Sequence, residues 1–316
     1  MRVRERGYPA RVQLGSVAST LRRLGGGLVP RSVKVRLRPL AVRAGLAVPV
    51  PWWHVELGGS IGRRTARGEA VCNICGWAGD MFLGGHHVES ATCPQCGSVA
   101  RDRFLLWCAA RRGALKGSPR VLETSPRMGD DYRTMMRRQL DYRASDFDLG
   151  SHIADIHLDL QAIDLPDQSL DVVLTPHVLE HVPRTQQALT ELHRVMAPGG
   201  RVYLQVPLLH GVTAAPPAPE FHADNTPVFW NFGWDLTDSL RSAGFVTTVL
   251  VTDQFSRVLR GVELTPAPDG DIFDVADMVR HARPADLTVI ADDRQAGRMG
   301  WLPSHQFVTW ECRRPA

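Results

Sequence analysis

Lysine is almost absent from this chain: of the 37 basic residues among 316, only Lys34 and Lys116 are lysines. A skew that strong reflects GC-rich coding, so the abundance of arginine is not by itself a recognition signal. Long apolar runs are also missing. None reaches the roughly 20 residues of a membrane-spanning helix, which excludes an integral helical membrane protein. Arg22-Arg23 resembles the start of a twin-arginine export signal, but Gly25-Gly26-Gly27 and Pro30 follow where an apolar stretch should stand, so export is not expected. No internal repeat occurs. Cysteines number six, too few for a disulfide-built scaffold, and only four of them fall in pairs. Cys108 and Cys312 read as isolated buried thiols, and a reducing cytoplasm is the expected location.

What remains describes an ordinary globular protein, 44% apolar and 22% charged. Its net charge of +4 is unevenly spread. Residues 1–50 carry eleven Arg or Lys against Glu5 alone, a net of +10, which leaves 26 basic residues against 32 acids in the rest, a net of −6. Residues 1–58 therefore form a basic N-terminal arm, with Val17, Leu21 and Leu24 at helical spacing. Two readings of the arm stand side by side: solvated arginines on a partly ordered segment, or attachment to an anionic membrane surface or RNA, which would make the protein peripheral at the membrane.

Residues 59–112 hold the cysteine pairs and a helical stretch, Arg103 to Ala110. Cys72-Asn73-Ile74-Cys75-Gly76 is followed by Cys93-Pro94-Gln95-Cys96-Gly97, with seventeen residues between Cys75 and Cys93. Two residues between cysteines let both thiolates reach one ion, and two such knuckles complete a tetrahedral set. A disulfide conflicts with the compartment, and a redox CxxC needs no second copy. The spacing predicts a structural zinc ribbon with ligands Cys72, Cys75, Cys93 and Cys96, its glycines allowing the tight turns. His86 and His87 lie between the knuckles and are expected as loop residues, since four thiolates already saturate the ion.

From about residue 118 strands alternate with helices. Strands are expected at 119–124, 141–146, 155–159, 170–175, 200–206, 245–252 and 306–312, and helices at 129–139, 184–196 and 235–243. That alternation implies parallel pairing and a Rossmann-like α/β sheet of seven strands across residues 113–316. The segment 253–305, with a helix-like piece from Ile272 to Ala282, reads as an insertion.

Within this region, Leu170-Asp171-Val172-Val173-Leu174-Thr175-Pro176-His177-Val178-Leu179-Glu180-His181 precedes Glu191-Leu192-His193-Arg194-Val195-Met196-Ala197-Pro198-Gly199-Gly200. In this order and spacing, the stretch Arg120–Pro207 resembles class I S-adenosylmethionine-dependent methyltransferases. Pro198 is expected to end a helix, and the two glycines to supply the positive φ of the turn into the next strand. The resemblance also implies a set of cofactor contacts. Glu123 matches the acid closing the first strand, and Gly129 matches the last glycine of the loop that follows. Ser125 and Arg127 stand where two further glycines are usual. Asp146 matches the ribose acceptor, Asp159 the acid facing the adenine amino group, Leu160 the residue along the ring, and His177 the cofactor edge after the fourth strand. The run Cys93 to Arg101 fits a CPxCGSxxR pattern of similar proteins whose ribbon also precedes the domain and whose glycine set is also incomplete.

For chemistry, the resemblance implies methyl transfer to a small-molecule or glycan acceptor. Histidines beyond the strand ends are the base candidates: His181 and His222, the latter within the aromatic run Phe221–Trp234, with His210 as a further member. His177, Glu180 and His181 have the spacing of a helical divalent-ion site, against a default of loop structure. Two rival functions remain: an RNA methyltransferase, or a non-catalytic scaffold with a degenerate methyltransferase fold. The sequence does not set the oligomeric state.

Overall fold

The computed structural model describes residues 70–84, 91–148, 154–222, 225–263, 274–301 and 308–316. The basic arm 1–58 and the pair His86-His87 lie outside the described residues. All elements below belong to one unit, Val50–Ala316.

The chain begins its described course with a two-stranded antiparallel hairpin, β1 (Ala70–Val71) and β2 (Ala78–Gly79), then the helix α1 (Ala100–Arg111). The Asp102 carboxylate accepts the Val99 amide at 3.0 Å, satisfying one of the donors that a helix start leaves open. There follow β3 (Arg120–Thr124), α2 (Asp130–Gln139), β4 (Asp141–Asp146), β5 (Ile156–His157), β6 (Leu170–Pro176), α3 (Thr185–Val195) and β7 (Met196–Gln205). A small pair, β8 (Glu220–Phe221) and β9 (Pro227–Val228), precedes α4 (Leu236–Ser242), β10 (Val246–Thr252), α5 (Asp253–Leu259), α6 (Val275–His281), β11 (Leu287–Ala291), α7 (Asp293–Met299) and β12 (Val308–Arg313). No helix among the described residues is long and apolar enough to cross a membrane.

The central sheet has the order β11-β10-β12-β7-β6-β3-β4-β5. Only β12 runs antiparallel to its neighbours; the other pairs are parallel. From β3 the chain winds outward to β4 and β5, then returns to the other side of β3 with β6 and β7. The reversal between β3 and β6 opens a crevice at the carboxyl ends of these strands. The core beneath is built from strand residues such as Leu122, Val173, Val202, Leu204 and Trp310 and from the apolar stripe of α3, Ala188, Leu189, Leu192 and Val195. That spacing turns one face of α3 to the sheet and leaves the polar positions outside.

Three expectations need correction. Among the described residues the sheet has eight strands, not seven. The region expected as an insertion supplies β11, which pairs in parallel with β10 and covers an edge that would otherwise expose unpaired amides. Helix α3 ends at Val195, before Pro198, because Met196 is already extended and pairs with Leu170. Arg314 Nη1 holds this end by donating to the carbonyls of His193, Arg194 and Met196 at 3.2, 3.1 and 2.6 Å. Finally, only Gly199 has a positive φ, +76°. Gly200 is required for space: a Cβ there would lie 2.8 Å from the Ala197 carbonyl oxygen.

The four-cysteine segment and α1 pack against the β11–α7 region. Arg103, fully buried, donates through Nη1 to the Ser98 carbonyl and through Nη2 to the Ala91 carbonyl, each at 2.7 Å, and through Nε to the Met299 carbonyl at 3.0 Å. Its guanidinium lies 3.8 Å from the ring centre of Phe82. Trp301 Nε1 donates to the Ala100 carbonyl at 3.1 Å while its ring meets Phe104 and Trp107 edge-on. One arginine and one tryptophan thus join the ribbon, α1 and the segment after α7.

Candidate metal centre and cofactor site

The two knuckles repeat one backbone pattern. Gly76 N donates to Cys72 O and Gly97 N to Cys93 O, both at 2.9 Å; Cys72 N donates to Trp77 O and Cys93 N to Ser98 O, both at 2.8 Å. Both glycines have positive φ, +75° and +72°, which closes each loop tightly enough to bring its two thiols together. The four sulfur atoms of Cys72, Cys75, Cys93 and Cys96 all lie within 4.8 Å of one another, with Sγ–Sγ distances of 3.7 Å for Cys72–Cys96 and 3.6 Å for Cys75–Cys93. These separations are far too long for a disulfide, and all four cysteines are free. They agree with a tetrahedron of metal–sulfur bonds of about 2.3 Å, whose edges are about 3.8 Å. Burial opposes ionisation of Cys72, yet hydrogen bonding from the other three thiols and the charge of Arg103 hold it well below the usual thiol value. Among the described residues this is the only cluster of ligating side chains that could hold a metal ion.

The second site lies at the carboxyl ends of β3, β4, β5 and β6. Glu123 is the penultimate residue of β3. Its Oε2 accepts hydrogen bonds from Tyr132 (2.8 Å) and Tyr142 (2.7 Å). Burial pushes this carboxyl up to about 7 against the pull of the two phenols. Ser125 adopts φ +47° where glycine is usual, and its amide donates to the Ser145 carbonyl at 2.7 Å. The departure from the glycine pattern is thus accommodated by a serine in the left-handed region. Gly129 faces open space and caps α2. Asp146 closes β4, buried, with Oδ1 accepting the Asp148 amide at 3.0 Å. Asp159 follows β5, where its Oδ1 accepts the Gln161 amide at 2.8 Å. Leu160 is part of the hydrophobic core, so only its main chain is available to a ligand.

After β6 the chain turns through His177 at φ +51°, whose amide donates to the Gln205 carbonyl at 2.8 Å. The next residues form a single 3₁₀ turn, Leu179–His181, instead of the α-helix needed for a shared metal face. Glu180 is buried between two imidazoles: its Oε1 lies 3.8 Å from His177 Nδ1 and 3.8 Å from His181 Nε2. Burial, then the charges of Arg101 and Arg127, hold His177 well below the usual histidine value, so it is neutral. His181 Nδ1 lies 2.7 Å from the Pro227 carbonyl, which can only accept. Nδ1 therefore carries a proton. His222 meets the His181 ring edge-on at 4.7 Å, so the two base candidates, 41 positions apart, are neighbours. The aromatic run divides: Phe232 and Trp234 join the core, whereas Phe221 and Phe229 are exposed. The Phe229 amide docks the run onto the Glu180 carbonyl at 2.8 Å. Tyr132, Tyr142 and Gln205 were not singled out by sequence. Tyr132 lies in α2, Tyr142 near the start of β4 and Gln205 at the end of β7, and no local pattern marks them as partners. A cleft of about 360 Å³ at the opposite edge of the sheet, lined by Lys116, Asp171 and Gly199 among others, touches none of these groups.

Residues 105–204 match the family model described as "Methyltransferase domain". A 147-residue stretch, 45% of this chain, is 26% identical to the ubiquinone/menaquinone biosynthesis C-methyltransferase UbiE of Yersinia pestis (strain Pestoides F). The chain spans 59% of that relative's length. Among solved structures, a SAM-dependent methyltransferase from Archaeoglobus fulgidus aligns at 15% identity and TM-score 0.40, covering 66% of this chain and 93% of that one. A Burkholderia thailandensis 1,6-didemethyltoxoflavin-N1-methyltransferase aligns at 13% identity and TM-score 0.37, covering 69% and 79%. The architecture itself is read from the strand order: a Rossmann-like α/β sheet, mostly parallel.

Proposed function

We propose that this protein is an S-adenosylmethionine-dependent methyltransferase acting on a small-molecule or glycan acceptor, with zinc held by Cys72, Cys75, Cys93 and Cys96 as a structural ion. The observation that carries the reading is that Ser125, Asp146, Asp159 and His181 stand at or just after the carboxyl ends of neighbouring strands, with His222 against the His181 ring. Carboxylates at the ends of adjacent strands suit the hydroxyl and amino donors of a nucleoside. Bound there, S-adenosylmethionine would supply a methyl group on an electrophilic sulfonium. In this reading His181 Nε2 takes the acceptor's proton, with Nδ1–H anchored on Pro227 and His222 beside the ring. Exposed Phe221 and Phe229 give an apolar wall suited to a flat or sugar-like acceptor. UbiE methylates carbon by name, and an acceptor carbon is included in this proposal alongside oxygen and nitrogen.

Four thiolates leave a tetrahedral ion no open position, so zinc has no part in the chemistry. The basic arm is proposed as an attachment device for an anionic surface, within a cytoplasmic protein. Removing residues 1–58 should abolish co-sedimentation with anionic vesicles or RNA at low salt and leave cofactor affinity unchanged. The competing reading, a scaffold that has lost cofactor binding, draws on Glu123 and Asp159 already bonding within the protein. Calorimetry with S-adenosylmethionine and S-adenosylhomocysteine separates the two. Binding weakened by about 1–3 kcal/mol in Asp146→Ala supports the enzyme, and no heat at millimolar ligand supports the scaffold.

A further inference from the structure

The cleft at the amino ends of the strands owes its space to a bulge. From one residue pair to the next, β6 runs from Leu170 to Val172 with one residue between, while β7 runs from Met196 to Arg201 with four. The longer segment swings out of the ladder and forms one wall. It is pinned there: the Gly199 amide donates to the Arg314 carbonyl at 3.1 Å and the Arg314 amide to the Gly200 carbonyl at 2.9 Å. The turn between α1 and β3 forms the other wall, where Gly113 and Gly117 have φ of +75° and +76°. A Cβ at Gly117 or Gly199 would meet nothing within 4 Å, so both walls offer bare main chain to a space of about 360 Å³. No aromatic ring lines it.

Lys116, Asp171 and Arg201 bring charge to the cleft. The Asp171 carboxylate is already committed: it accepts from Arg120 through Nε at 2.9 Å, Nη2 at 2.8 Å and the amide at 2.8 Å. Arg201 donates through Nη1 to the Arg112 carbonyl at 2.6 Å, and its Nε stands 3.7 Å from Glu311, which also accepts from Arg112 Nε at 2.7 Å. Each acid is thus answered by an arginine. Lys116 is the surplus charge. Its side chain folds back along the cleft, with Nζ 3.9 Å from the place of a Gly113 Cβ, and it forms no ion pair or side-chain hydrogen bond among the described residues. A lysine is a point charge that suits phosphate, and glycine walls let a ligand approach the main chain closely. A nucleobase would find no ring to stack on. We propose that this cleft binds a phosphate monoester of a small polyol, its dianion held by Lys116 with Arg201 beside it and its hydroxyls against the glycine walls. The site shares no residue with the candidate cofactor site and does not depend on the methyl-transfer reading.

Because the chain has only two lysines, Lys34 and Lys116, the cleft can be read directly. Reductive methylation with isotope-labelled formaldehyde keeps both charges and gives one NMR signal for each, told apart by Lys116→Arg. Glycerol 3-phosphate should shift the Lys116 signal and saturate it at roughly millimolar concentration or below, whereas glycerol should not move it. Calorimetry on the unmodified protein should find the same affinity, weakened at least about tenfold in Lys116→Met and kept within a few-fold in Lys116→Arg. Saturating S-adenosylhomocysteine should leave it within about twofold, since the two sites are separate. Vesicles identify the source of the ester: a preference for phosphatidic acid over phosphatidylglycerol that is lost in Lys116→Met assigns it to a lipid headgroup, and equal pelleting assigns it to a soluble molecule. Four results would overturn the proposal. They are no shift of the Lys116 signal well above millimolar ester, an unchanged affinity in Lys116→Met, displacement by S-adenosylhomocysteine, or sulfate binding as tightly as the ester.

Discussion

The ribbon and the α/β body solve the same problem with different means. The body buries a continuous apolar core, from Leu122 and Val173 in the strands to Leu189 and Leu192 on α3. The described part of the ribbon has two-residue strands and only a few buried apolar side chains, such as Ile74 and Phe82. A segment that small cannot repay its ordering entropy by burial. It relies on four converging thiols and on contacts borrowed from elsewhere: Arg103 to the Met299 carbonyl and Trp301 to the Ala100 carbonyl. Metal geometry is all-or-none, whereas a packed core yields by degrees. The two regions should therefore respond differently to damage.

The largest effect is expected from the metal. Cys72→Ser should remove zinc and unfold the ribbon, because metal-binding free energy of about 10 kcal/mol or more becomes folding free energy in such sites. Elemental analysis should find one zinc per wild-type chain and none in the variant; a variant that keeps its zinc and its melting temperature would erase the contrast. Next, Leu189→Ala should cost about 2–5 kcal/mol of stability in denaturant titration, a graded loss from a core cavity, with zinc content unchanged. Loss of zinc in that variant would instead show that ribbon and body unfold as one.

The third effect sharpens the comparison through pH. Glu123 has its carboxyl raised from an unfolded value near 4.5 to about 7. For a raised pKa, the folded state holds its proton longer than the unfolded chain, so the stabilisation is fully present below about pH 4.5 and is lost as pH rises through 7. The shift corresponds to about 3 kcal/mol across that window. Glu123→Gln keeps acceptor and donor capacity without ionising, and its stability should be flatter between pH 5 and 8 than the wild type's by that order. Parallel profiles would mean that Glu123 is not the titrating group. Smallest of all, Phe229→Ala, an exposed position beside the proposed acceptor wall, should leave melting within about 0.5 kcal/mol and zinc content untouched, while a change in turnover would tie it to the acceptor.

The cysteine knuckles, the alternation of strands and helices, and the presence of polar residues where strands end were determined by the sequence by itself. Each is encoded over a few neighbouring residues: CxxCG turns, period-two and 3.6-residue patterns, polar residues where strands end. Only the tertiary structure decided the rest. Leu287–Ala291 is too short and too like a buried helix fragment to announce itself as a strand until the open edge of β10 is seen to need a partner. The end of α3 at Val195 depends on Arg314, 119 positions away. The meeting of His181 with His222, the closing of Glu123 by two tyrosines and the bond from Gln205 to the Arg101 carbonyl all join residues distant in the chain. Such contacts follow from which strands pair and which helix lies across them, and no local pattern carries that information, because its energy is gained only once the whole sheet has closed.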